Sequence, residues 1–136
     1  MTETIPDGFT PVTNAGNFSS MIGPTYQRRE EDGSLTFGLL VEEKHLNSRG
    51  VVHGGMLMSF MDQLLGRTVH NQIGVRPTAT VQLDNQFLAG VRDGDWVVGR
   101  GTVERATRSI VFITGRLSVN NEPVLISSGV WKILGA

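Results

Sequence analysis

Only one stretch of this 136-residue chain repeats its apolar side chains at helical spacing, and it is flanked by segments that repeat them every second residue. Within residues 54–70, Leu57, Met61, Leu64, Leu65 and Val69 fall on one stripe with Phe60 beside it. Ser59, Asp62, Gln63, Gly66, Arg67 and His70 recur at steps of three and four on the opposite face. Before this helix, Thr25 to Glu31 reads as a strand and Asp32-Gly33 as a tight hairpin turn. Leu35, Phe37, Leu39 and Val41 then alternate with Ser34, Thr36, Gly38 and Leu40, the period of a half-buried strand. After the helix, residues 78–87, 95–105, 109–119 and 124–133 read as four strands joined by hairpins, with Ala106-Thr107-Arg108 and Asn120-Asn121 as turns. One helix cannot bury itself. The order strand, strand, helix, four strands predicts an α+β domain in which an antiparallel sheet of about six strands curls around a long central helix.

The length allows a single domain, read as residues 22–136 preceded by an arm at 1–21 with a short helical turn around Asn17 to Ile22. Trp96, Val98, Val111, Ile113, Leu117, Val119, Val124, Ile126, Val130 and Trp131 are more apolar strand positions than one helix covers. This excess predicts a homo-oligomer with a dimer as its minimal unit.

The absence of cysteine excludes disulfides, thiolate nucleophiles, Cys-ligated zinc and iron–sulfur clusters. His45, His53 and His70 share no ligand spacing with one another or with a carboxylate, so no metal is expected. No run of 18 apolar residues could span a bilayer, and residues 1–7 are acidic without the apolar core of a secretory signal. A cytoplasmic protein without a membrane partner is expected. Twelve basic against 13 acidic side chains argue against a nucleic-acid partner, which would need a basic footprint. Nine of the cations fall in residues 46–136, eight of them arginines suited to phosphate contacts.

The richest segment for chemistry is Asn47-Ser48-Arg49-Gly50-Val51-Val52-His53-Gly54-Gly55, followed by Asp62. Paired glycines at a helix start cost about 1 kcal/mol each relative to alanine. They can serve as a tight turn, or they can leave unshielded amides at the positive end of the helix dipole for a ligand oxygen. Asp62 can be a solvated residue of the polar face. Ser59 and Gly66 nevertheless flank it with small side chains, which describes a groove for an elongated substrate beside an acid. His53 can bond its own turn. His70 suits the negative end of the helix, and His45 is expected to be exposed.

The pattern Asn47, His53-Gly54-Gly55, Asp62, Gly66 resembles that of the hot-dog-fold acyl-CoA thioesterases, particularly the phenylacetic-acid-degradation subgroup, and the element order agrees from about residue 22 to 135. The resemblance implies a dimer joined through sheet edges, a tetramer beyond it, and active sites between subunits. It implies Asp62 as general base or nucleophile, and Gly54, with Gly55 close by, as amide donor to the thioester oxygen. Asn47 and His53 of the other subunit would orient the thioester and the start of the helix. Thr80 falls where relatives hold the attacking water with a hydroxyl. Ser59 and Gly66 would border the substrate, and Arg105, Arg108 and Ser109, with Thr107, would meet the nucleotide, although a polar hairpin turn explains that cluster equally. No cofactor is implied beyond the coenzyme A of the acyl-CoA substrate. Met56, Met58, Phe60 and Met61 suggest an adaptable acyl pocket or plain core. Two other activities fit the same fold: a non-catalytic acyl-CoA binder or sensor, and an enoyl-thioester hydratase, whose Asp/His pair this chain does not clearly show.

Overall fold

The computed structural model describes residues 5–135. Its elements are β1 (Thr10–Pro11), α1 (Asn17–Ile22), β2 (Thr25–Arg29), β3 (Leu35–Leu40), a 3-10 turn (Glu43–His45), α2 (Gly54–Ile73), β4 (Thr78–Phe87), β5 (Trp96–Ala106), β6 (Ile110–Val119) and β7 (Glu122–Ile133). The strands form one antiparallel sheet in the order β1-β2-β3-β5-β6-β7-β4, curved around α2. This is the hot-dog fold.

The helical stripe is what the sheet closes on. Met56, Leu57, Phe60, Met61, Leu64, Leu65 and Val69 are all buried. At about 1.5–3 kcal/mol for each buried side chain, this burial far outweighs the roughly 1 kcal/mol lost at each of Gly54, Gly55 and Gly66. Facing it, Phe37, Leu39, Val97, Val111, Ile113, Leu117, Leu125 and Trp131 fill the concave side of the sheet. The helix lies so close that a Cβ on Gly99 would stand 2.3 Å from Leu64, one on Gly115 2.6 Å from Met61, and one on Gly101 2.8 Å from Leu65.

The structure departs from the sequence reading in four places. A seventh strand, β1, comes from the arm: Thr10 pairs with Gln27 and Pro11 with Tyr26, and the Phe9 ring packs edge-on against Trp96 at 5.2 Å. The last four strands are not a continuous set of hairpins. β4 pairs with β7 on the far edge while β5 pairs with β3, because residues 88–95 cross the sheet, with Val91 buried and its carbonyl accepting the Val52 amide at 2.7 Å. His45 is buried, not exposed. Its Nδ1 accepts the Glu42 amide at 2.9 Å, which leaves Nε2 to donate to the Ile22 carbonyl at 2.6 Å. The supposed apolar excess is mostly absorbed within the chain, since Val111, Ile113, Leu117, Val124 and Trp131 are core and Trp96 is covered by Phe9 and Tyr26. Exposed apolar side chains include Val81, Phe87 and Leu88 on and beside β4, and Phe18 and Met21 on α1.

Among the described residues no helix is long and apolar enough to cross a membrane.

Candidate active site

The start of α2 is organised by its cap. His53 adopts extended backbone geometry as N-cap, and its Nδ1 accepts the Gly55 amide at 2.8 Å. With Nδ1 accepting, the ring proton sits on Nε2, which is free to donate outward. The Met56 and Leu57 amides go to the His53 carbonyl, at 2.9 and 3.3 Å. Among the described residues this leaves the Gly54 amide without an intramolecular acceptor, at the positive end of a 20-residue helix. Gly55, by contrast, has its amide engaged by its neighbour and can offer a ligand only its small size.

Asn47 sits in the loop leading to that start. Its Oδ1 accepts the Arg49 amide at 2.9 Å and the Val51 amide at 3.4 Å, and among the described residues its Nδ2 has no hydrogen-bond partner. The loop is pinned by the bridges Leu46–Val52 and Val51–Arg92.

Eight residues further along α2, Asp62 is exposed and accepts the Thr80 hydroxyl at 2.8 Å on Oδ1. Thr80 comes from β4, immediately before the bulge between Thr80 and Gln82. The second carboxylate oxygen of Asp62 and both lone pairs of Thr80 Oγ1 remain able to accept hydrogen bonds. Asp62 and Gly54 of the same chain do not meet. At 1.5 Å per residue they are about 12 Å apart along the helix, too far for one carbonyl group to touch both.

Ser59 bonds back to the Gly55 carbonyl at 2.8 Å. With His53, Gly55 and Met56 it lines an open cleft of about 510 Å³, closed on the other side by Phe18, Met21 and Ile22 of α1. Of the proposed acyl-pocket methionines and phenylalanine, only Met56 reaches this cleft, because Phe60 and Met61 are core and Met58 points elsewhere. Gly66 is not a steric necessity within the chain, since a Cβ there would meet Trp131 Nε1 at an ordinary 3.7 Å.

Arg105, Arg108 and Ser109 lie at the β5–β6 turn. Thr107 spends its hydroxyl on Ile110, donating to the carbonyl at 2.9 Å and accepting the amide at 3.0 Å, while the Ser109 carbonyl takes the Ile133 amide. The register runs Thr80–Trp131–Val111–Ala106 across the sheet, so this turn shares a transverse row with Thr80, three strand spacings or about 14 Å away.

The sequence reading missed Phe87. Its ring lies where a Cβ on Gly54 would be 3.3 Å away, so the end of β4 backs the start of the helix. An apolar Phe-Leu pair closing a strand, with no helical stripe to serve, was the signal. The contribution of α1 to the cleft had none. Among the described residues no three His, Cys, Asp or Glu side chains gather as a metal would require.

Fold and site together define a hot-dog domain with a carboxylate in mid-helix and one bare amide, that of Gly54, at the helix start. The family model of the thioesterase superfamily matches residues 49–125, and the chain belongs to that superfamily. Asn47 falls just outside the matched span. An esterase candidate of Pseudomonas aeruginosa is 29% identical, over 95% of this chain and 97% of its own. Human acyl-coenzyme A thioesterase 13 is 22% identical, over 95% and 92%. Among solved structures, a single-residue variant of the phenylacetic acid degradation protein PaaI of Thermus thermophilus superposes with a TM-score of 0.76 at 17% identity, covering 86% of this chain and 98% of its own. A thioesterase-class protein of Streptococcus pneumoniae, solved with coenzyme A, superposes with 0.75 at 20% identity, over 82% and 86%.

Proposed function

We propose that this chain hydrolyses acyl-CoA thioesters, aliphatic or aromatic, to the free acid and coenzyme A, at sites completed by two copies of the chain. The observation that carries this reading is the course of β4. It pairs with β7 along one edge only, and its two ends lie beside the two halves of the site: Thr80 against Asp62, and Phe87 against Gly54. If two β4 edges pair antiparallel about a two-fold axis, the Asp62 end of one copy meets the Gly54 end of the other. A 10-residue edge strand carrying exposed Val81 and Phe87 is a surface that proteins otherwise blunt.

In such a site the thioester oxygen accepts the Gly54 amide of one copy, supported by Asn47 Nδ2. Asp62 of the other copy, with Thr80, holds water and takes its proton as the water attacks the thioester carbon. The oxygen becomes an oxyanion at the helix start, where one preorganised donor is worth about 3–4 kcal/mol. Collapse expels the coenzyme A thiolate. His53 serves this site by keeping the helix start in shape. The acyl group fits the cleft between α1 and α2, and the Arg105–Ser109 turn suits the nucleotide. Pairing of two such dimers would give the tetramer.

The test is release of free coenzyme A from aliphatic and aromatic thioesters, run with Asp62→Asn alongside. Turnover lost in the variant with ligand binding kept supports the hydrolase. Binding without turnover in the unaltered protein would make it an acyl-CoA binder instead.

A further inference from the structure

Between β2 and the C-terminal half of α2 lies a second cleft, of about 310 Å³. Gln27 and Arg29 of β2 form one wall and Arg67, His70 and Asn71 of α2 the other, and among the described residues no acidic side chain lines it. Two of its basic side chains have ordinary explanations. Arg29 donates to the Gly33 carbonyl at 2.8 Å and to Asn71 Oδ1 at 3.0 Å. His70 stands in the last turn of α2, where the dipole favours positive charge, and its Nε2 lies 3.2 Å from the Thr78 hydroxyl.

Arg67 has no such account. It is half-buried, and among the described residues it makes no hydrogen bond and no ion pair. It sits upstream of the last turn, beyond the range in which the helix terminus would compensate it. Burial alone pushes its guanidinium below the usual arginine range, with no neighbouring acid offsetting the cost. A partly desolvated guanidinium with no protein partner is a ready donor for an anion that enters the cleft.

We infer that the cleft between β2 and the C-terminal half of α2 binds a phosphate-type oxyanion, gripped by the guanidinium of Arg67 with Arg29 and the Gln27 amide as second donors. Arg29 has Nε and Nη2 to spare, and a tetrahedral oxyanion can accept from both arginines at once. The anion can be free phosphate or a phosphate of a coenzyme A-like ligand. The inference does not depend on the hydrolase reading.

Calorimetric titration of the full chain tests it, in chloride-poor buffer, with inorganic phosphate and separately with coenzyme A, for the unaltered protein, Arg67→Gln and Arg67→Lys. One phosphate site per chain is expected, weakened at least about tenfold in Arg67→Gln, the size of one charge-assisted hydrogen bond. Arg67→Lys should recover part of the affinity. If coenzyme A binding falls in parallel, the coenzyme supplies the anion; if only phosphate binding falls, the free ion does. Either outcome supports the site. Phosphate binding that is absent, or unchanged in Arg67→Gln, overturns it, unless coenzyme A binding alone depends on Arg67. Arg29→Gln repeats the test from the other wall should Arg67→Gln fail to fold, and affinity unchanged there is equally fatal.

Discussion

The Thr80 hydroxyl donates to Asp62 Oδ1 across 2.8 Å, joining the middle of α2 to the edge strand β4 from positions 18 residues apart. This single bond fixes which carboxylate oxygen faces the sheet and which faces outward. It also settles which substitutions separate chemistry from folding. Asp62→Asn keeps the shape and can still accept from Thr80, but it cannot take a proton. The turnover number for acyl-CoA is expected to fall about 10²–10⁴-fold, the usual worth of a positioned base, with ligand affinity kept. Thr80→Ala should cost about tenfold, in line with one lost hydrogen bond, and Thr80→Ser should restore most of it. Steady-state kinetics on the three variants checks this, and an Asp62→Asn enzyme of full activity would remove Asp62 from the mechanism.

Gly66→Ala should divide stability from activity. The helix interior gains about 1 kcal/mol from losing a glycine, and the new methyl meets only Trp131 Nε1 at 3.7 Å. A raised urea midpoint is expected. If the face beside Asp62 borders a substrate, the same change raises KM. A stabilised protein with unchanged KM would assign Gly66 no part in binding.

Gly99→Ala should do the opposite. A Cβ there would stand 2.3 Å from Leu64 Cδ2 and 3.0 Å from Leu117 Cδ2, both in the packed core. The helix must lift or the leucines must leave their rotamers, an overpacking cost of about 1–3 kcal/mol. Urea unfolding should show the midpoint falling with an unchanged slope.

Glu30 provides a pH-dependent contribution. The Thr36 hydroxyl and then Arg28, at 3.1 Å, hold its carboxyl below the ordinary 4.5. A depressed acid stabilises the fold above its unfolded value, and that stability is lost as pH falls through the depressed one. Unfolding followed below about pH 4.5 should therefore be steeper in pH for the unaltered chain than for Glu30→Gln. NMR titration should place the Glu30 carboxyl below the ordinary 4.5. The effect is small because the group is solvent-accessible.

How much of this could be seen in advance depended on the range of the interaction. The stripe Leu57, Phe60, Met61, Leu64, Leu65, Val69 is local and periodic, so the helix and its buried face were legible, as was the alternation that buries Phe37, Leu39 and Val41. The partnership of β4 with β7 was not, because nothing in residues 78–87 distinguishes a far-edge strand from the next one in a series of hairpins. His45 reads as an ordinary polar loop residue. Its burial follows from the Ile22 carbonyl 23 positions earlier, which no local pattern reports. The chemical residues stood out because their types are costly where they occur, as with glycines in a helix. Phe87 did not, because an aromatic residue in a strand is ordinary taken alone, and only its pairing with Leu88 at the strand's end marked it.

The division of the site between two copies can be tested by mixing two inactive proteins. Gly54→Pro removes the very amide assigned to the thioester oxygen, at the first helical position, where proline is accepted and the N–H has no intramolecular partner. The preceding residue, His53, has φ −60° and ψ 133°, a conformation that proline tolerates before it. The ring must displace Phe87 slightly from its 3.3 Å contact, which circular dichroism and a thermal melt will register. Asp62→Asn, unfolded and refolded together with Gly54→Pro, gives mixed dimers in which one site combines both faults and the other has an intact Asp62 facing an intact Gly54. With random pairing at equal amounts, about a quarter of the normal activity should return. If Asp62 and Gly54 acted within a single chain, the mixture would stay as inactive as its parts, and the edge-to-edge arrangement of β4 would have to be abandoned.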